Sequence, residues 1–153
     1  MVQALEQANA AAARDEVPVG AVIVSADGVV VAEAGNQVLE DKDPTAHAEM
    51  LAIRRAAQQL GSERLIDCDL YVTLEPCPMC AQAISFARIR RLYYGAADPK
   101  GGGVDNGPAL YNQPSCHHRP EVYGGIQESK ASKLLKDFFE ARRIQENQIM
   151  QND

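Results

Sequence analysis

Tyr71-Val72-Thr73-Leu74-Glu75-Pro76-Cys77-Pro78-Met79-Cys80 is the stretch that decides the architecture. Leu70 to Leu74 is a short apolar run rich in β-formers, which predicts a strand. Pro78 then opens a helix expected to run to Ala87, because proline suits a first turn that needs no N–H. A strand passing directly into a helix is a unit of α/β folds. The two cysteines at the junction, Cys77 and Cys80, are spaced so that both sulfurs can turn toward one ion.

Working outward, Gln3 to Arg14 is rich in Ala, Leu and Gln and predicts a helix. Val17 to Ser25 predicts a strand, Asp27-Gly28 a hairpin turn, and Val29 to Ala34 the antiparallel partner. A loop is expected from Gly35 to Pro44. Thr45 to Leu60 places Met50, Leu51, Ile53, Ala57 and Leu60 on a helical period, and Gly61 stands where a terminating glycine belongs. Beyond the second helix, Arg91 to Tyr94 predicts a further strand. Ala97 to Arg119 is crowded with Gly, Pro, Asn and Asp, and a connection of that length points to function. A fifth strand is expected around Val122, then a helix from Gln127 to about Asn147 that Arg142 and Arg143 close. Strands alternate with helices, so the class is α/β with a mixed sheet. One domain is expected over residues 1–153, with no internal repeat.

The 153 residues are 46% hydrophobic and 24% charged, which suits one ordinary core. No apolar stretch is long enough to span a bilayer, and no basic-then-apolar leader is visible, so an intracellular protein is expected. The four cysteines, Cys68, Cys77, Cys80 and Cys116, then favour metal or redox chemistry over disulfides. The net charge of -6 does not advertise a nucleic-acid binder. Local basic groups (Arg88, Arg90 and Arg91, then Lys100, then Arg142 and Arg143) read on charge alone as a solvated surface.

A second chemical element is His47-Ala48-Glu49, near the start of its own helix. Helix N-termini stabilise anions, so thiols placed there ionise readily. His47, Cys77 and Cys80 make a three-ligand set, which on zinc leaves one position for water, the mark of a catalytic site. Zinc brings the pKa of its water to about 7. Glu49, two residues from a ligand, is placed as the general acid/base. Two other readings are open. Cys77 and Cys80 could join two of Cys68, Cys116, His117 and His118 in a closed structural site, or they could form a redox pair. Both leave His47 and Glu49 idle. Cys68 is expected to be a small buried residue, and Cys116-His117-His118 part of a substrate-facing loop.

His-x-Glu with Pro-Cys-x-x-Cys is the signature of zinc-dependent nucleobase deaminases. Asp43-Pro44-Thr45-Ala46-His47-Ala48-Glu49 and the Tyr71–Cys80 run resemble the bacterial tRNA-specific adenosine deaminases of the cytidine/deoxycytidylate deaminase superfamily. So do Glu16-Val17-Pro18-Val19-Gly20-Ala21-Val22, Ser85-Phe86-Ala87-Arg88-Ile89, and Phe138-Phe139 with Arg142-Arg143. The resemblance implies a cytidine-deaminase-like three-layer fold, a mixed five-stranded sheet flanked by helices. It implies deamination of the wobble adenosine of a tRNA anticodon to inosine, by a cytoplasmic homodimer with one zinc ion per chain and no DNA or membrane partner. By the same resemblance, His47, Cys77 and Cys80 bind zinc and Glu49 shuttles protons. Asn36 hydrogen-bonds the purine, and the Ala48 backbone and Val19 side chain line the base pocket. Asp98, Lys100, His118 and Arg142 belong to the parts that approach the RNA. The loop Gly101-Gly102-Gly103-Val104-Asp105-Asn106-Gly107 is more glycine-rich than the family's common pattern. The alternative is a deaminase of free guanine or cytosine, which shares the Pro-Cys-Pro-Met-Cys run.

Overall fold

The apolar run after Pro18 forms β1 (Gly20–Val24), and the turn at Asp27-Gly28 returns the chain as β2 (Val30–Gly35). The two strands pair antiparallel, with Ala21 opposite Ala34 and Ile23 opposite Ala32. On its other edge β1 pairs antiparallel with β3 (Asp69–Leu74), which pairs parallel with β4 (Arg91–Ala96). β5 (Glu121–Tyr123) adds a parallel edge, so the order is β2-β1-β3-β4-β5. The mixed five-stranded sheet is the one the sequence predicts. The computed structural model describes residues 1–152.

Helices α1 (Val2–Ala12) and α4 (Glu128–Asn152) contact each other and the sheet. Helices α2 (Ala48–Leu60) and α3 (Pro78–Phe86) likewise contact each other, with α2 against β1 and β2. The result is three layers. α1 lies very close to β1: a Cβ at Gly20 would stand 1.9 Å from the Ala4 carbonyl oxygen. Only glycine fits there, and the helix answers with the fully buried alanines Ala4, Ala8 and Ala11. Between the layers lie Ile23, Leu65, Leu70, Val72, Ile84, Ile89 and Leu92, all fully buried. Cys68 is buried in the same core, as expected.

Several details differ from expectation, two of them for a clear local reason. α2 starts at Ala48 and not Thr45, because Asp43 Oδ1 accepts both the N–H and the hydroxyl of Thr45 (2.8 and 2.7 Å) and holds a turn. β1 starts at Gly20 and not Val17, because Pro18 has no N–H and the Val19 N–H is spent on the Val17 carbonyl (2.8 Å). The stretch after β4 contains a short 3-10 turn, Leu110–Asn112. Arg142 and Arg143 do not close the last helix, which continues to Asn152. Among the described residues no helix is long and apolar enough to cross a membrane.

Candidate active site

β3 runs into α3 through Glu75-Pro76-Cys77, so the start of α3 sits at the end of the sheet. Cys77 caps α3 in an extended conformation (φ -67°, ψ 170°) with Pro78 next, and Cys80 follows in the first turn. His47 occupies the equivalent place before α2, also extended (φ -72°, ψ 150°). Two helix N-termini therefore converge, and both favour negative charge nearby.

His47 Nδ1 lies 3.7 Å from Cys77 Sγ and 3.6 Å from Cys80 Sγ. Tetrahedral zinc with ordinary Zn–N and Zn–S bonds requires an N···S separation of about 3.6 Å. The donor types and their spacing thus fit zinc. Hydrogen bonds among the three donors set how readily each loses its proton. The hydrogen bond from Cys80, stronger than the opposing effect of burial, pulls Cys77 down to about 4. That same bond, together with burial, pushes Cys80 far up. The hydrogen bond to Cys77 holds His47 above its ordinary value. A divalent ion would displace these protons, so binding couples to pH.

Among the described residues only His47, Cys77 and Cys80 form such a donor group. A closed four-ligand site finds no support: Cys68 lies in the core, and the Cys116 thiol faces the His118 carbonyl oxygen (3.1 Å) and Ser85 Oγ (3.6 Å). All four cysteines are free.

Glu49 stands in the first turn of α2 and is 4% exposed. Burial, which penalises the charged carboxylate, pushes its pKa up to about 7. A carboxyl group tuned to neutrality beside a metal-binding group is equipped to take and give protons.

A cavity of about 410 Å³ opens over these residues, within the roughly 300–1,000 Å³ typical of ligand sites. His47, Glu49 and Cys77 line it together with Val19, Asn36, Asp98 and Arg142. Asn36 Oδ1 accepts the Ala48 N–H (2.8 Å), which leaves its Nδ2 amide for a ligand. Ala48 itself is fully buried, and its N–H is spent on Asn36. Arg142 donates to the Asp15 carbonyl and lies 4.7 Å over the Phe138 ring, so its guanidinium is held at the cavity edge. A second cavity, about 400 Å³, lies apart from the metal group between α1 and α4.

Lys100 and His118 do not line the cavity. Lys100 is exposed on the loop beyond Asp98. The His118 ring is tied to the Ile89 carbonyl (2.7 Å), so Cys116–His118 packs beside α3 and the start of β4.

Two buried carboxylates at the cavity, Glu16 and Glu75, were given no role by the sequence reading. Glu16 Oε1 accepts the N–H groups of Leu39 and Glu40 (2.7 and 2.9 Å) and shapes one wall. Glu75 gathers the loop after β4. The available signal was an acid inside an otherwise apolar or proline-bounded run, which has to find donors when buried.

Residues 1–96 match the family model of the cytidine and deoxycytidylate deaminase zinc-binding region. Over 144 residues the chain is 58% identical to the tRNA-specific adenosine deaminase of Agrobacterium fabrum, covering 94% of each chain. The chain belongs to the tRNA-specific adenosine deaminase family. The deaminase is also similar in structure to a chain from a study of A-to-I editing by tRNA:A34 deaminases at the wobble position of transfer RNA. That match has TM-score 0.85 and 60% identity, covering 86% of this deaminase and 95% of that chain. The guanine deaminase of Bacillus subtilis is more distant. Its TM-score is 0.63 and its identity 35%, covering 93% of this deaminase and 90% of that chain. The three-layer fold is therefore that of the cytidine-deaminase superfamily, as the sequence predicted.

Proposed function

We propose that this deaminase hydrolyses the wobble adenosine of a tRNA anticodon to inosine, releasing ammonia, with one zinc ion per chain on His47, Cys77 and Cys80. The observation that carries this reading is the open three-donor group beside a buried, protonatable Glu49 in a cavity with room for a nucleoside, in a chain 58% identical to a tRNA-specific adenosine deaminase. Zinc, when bound, supplies the Lewis acidity that activates water near neutral pH. Glu49 accepts the proton that water loses as it adds to the amine-bearing ring carbon, and returns protons to the ring and to the departing ammonia. Asn36 Nδ2 donates to an acceptor nitrogen of the purine, and Val19 packs against the base. Asp98, Lys100, His118 and Arg142 belong to the parts that approach the flanking nucleotides.

An anticodon loop is already single-stranded, so extruding one base costs little. The net charge of -6 is compatible with RNA when the few basic groups share one groove, as a homodimer would arrange. The exposed Leu60 and Phe86 at the ends of α2 and α3 support such a dimer. A cytoplasmic location, with no membrane or DNA partner, goes with a tRNA substrate.

The test is a parallel incubation of the zinc-loaded chain with an anticodon stem-loop carrying a wobble adenosine and with free guanine and cytosine. Inosine in the stem-loop, with the free bases untouched, is the expected result. Consumption of guanine or cytosine with an unchanged stem-loop overturns the substrate assignment and leaves the zinc chemistry standing.

A further inference from the structure

Glu75 is 2% exposed and has donors on every side. Its Oε1 accepts the Asp98 N–H (3.1 Å) and the Asn106 side-chain amide (2.7 Å). Its Oε2 accepts the N–H groups of Val104 (3.2 Å), Asp105 (3.1 Å) and Asn106 (3.1 Å). One carboxylate thus ties together both ends of the Asp98–Asn106 segment. The glycine-rich sequence between them now has a reason. A Cβ on Gly102 would stand 2.3 Å from Glu75 Oε2 and 2.5 Å from the Asp98 carbonyl. The Gly103 N–H bonds the Pro76 carbonyl (2.8 Å), which seats the loop against the start of α3. A second fastening comes from β4, where the Tyr94 hydroxyl donates to Asp105. Asp98, which lines the cavity, is fixed further because its own Oδ1 accepts the N–H groups of Lys100 (3.2 Å) and Gly101 (2.9 Å).

We infer that Glu75 is a positioning residue for substrate binding: it holds the Asp98–Asn106 loop as a fixed wall of the cavity and thereby sets substrate affinity. The inference rests on the proposed RNA substrate. It separates two jobs at positions on either side of Pro76, since Cys77 serves the metal and Glu75 serves the wall. Only a carboxylate suits the place. All five partners are donors, and an amide would turn its own NH2 toward N–H groups whichever way it was set. Aspartate is one methylene shorter and does not span both ends. Preorganising a contact wall spares the substrate the cost of ordering it on binding.

The test uses the zinc-loaded full chain with Glu75→Gln and, independently, Gly102→Ala. Metal content, kcat and KM on the anticodon stem-loop, and amide hydrogen exchange over residues 98–106 are measured together. Both variants are expected to keep their zinc and a kcat within about threefold of the parent, while KM rises about tenfold or more, the scale of one lost buried hydrogen-bond set. Exchange protection over 98–106 falls, and that of α2 and α3 stays. An unchanged KM, unchanged loop protection, or joint loss of zinc and kcat at constant KM overturns the inference, the last because Glu75 would then act through Cys77. Gly102→Ala decides the matter if Glu75→Gln does not fold. A parent chain inert on the stem-loop but active on guanine brings down the RNA reading alone, and KM for guanine then serves the same comparison.

Discussion

His47 and Cys77 cap α2 and α3 and Cys80 stands in the first turn of α3, whereas Asp98 stands on a stretch whose shape rests on one distant carboxylate. At the metal end, position follows from chain direction: a strand stops, a helix starts, and the donor is at the corner. At the loop end, five donors from Asp98, Val104, Asp105 and Asn106 converge on Glu75. Regular elements built the first and a polar knot built the second. The difference teaches that two separable kinds of construction meet at one cavity. It predicts that damage to the corners removes turnover, while damage to the knot loosens the grip on substrate.

The sharpest way to break that division is Cys80→Ser. Cys80 is fully buried, and its sulfur lies 3.6 Å from His47 Nδ1. The variant is expected to lose its zinc by elemental analysis and to lose activity by more than the effect of removing Glu49. Retained metal contradicts the ligand assignment. Next comes Glu49→Gln, which should keep zinc and KM while kcat falls by about a hundredfold to ten-thousandfold, the range of a lost general acid/base. Full turnover in that variant removes Glu49 from the chemistry.

Asn36→Ala probes the seam between the regions. It deletes the Nδ2 donor and leaves the buried Ala48 N–H without its partner, a loss worth about 1–3 kcal/mol. KM for the stem-loop should rise by about tenfold to a hundredfold with a smaller change in kcat, read from initial rates. The smallest effect concerns acid. Burial alone would raise the Glu75 pKa, but the Asn106 amide and the backbone N–H groups of Asp98, Asn106 and Val104 outweigh it and hold the carboxyl below its ordinary value. A lowered carboxyl pKa contributes stability above its ordinary value and loses it as pH falls through the lowered one. In the metal-free chain, exchange protection at residues 104–106 should therefore fall below the ordinary carboxylate range. Glu75→Gln should lack that acid-dependent step.

The same contrast explains what the sequence made legible. The five strands, the four helices and the three donors were visible because each depends on local pattern: β-rich runs, a helical period, Pro78 at a first turn. The start of α2 was placed three residues early because an Asp43–Thr45 turn looks like helix in a periodicity count. The role of Glu75 is not legible beside Cys77, since nothing local says that its partners lie more than twenty residues downstream. The bond between the His118 ring and the Ile89 carbonyl has no local sign in the sequence, because the partners lie 29 residues apart. Asn36 and Arg142 are far apart in sequence and meet at one cavity only through the sheet and α4.

The most direct measurement is a zinc titration of the metal-free chain, following inosine formation in an anticodon stem-loop with a wobble adenosine. The account predicts no inosine before zinc is added, a linear rise, and saturation at one ion per chain. Inosine formed without metal, or a zinc-saturated chain that leaves the stem-loop unchanged, would contradict it.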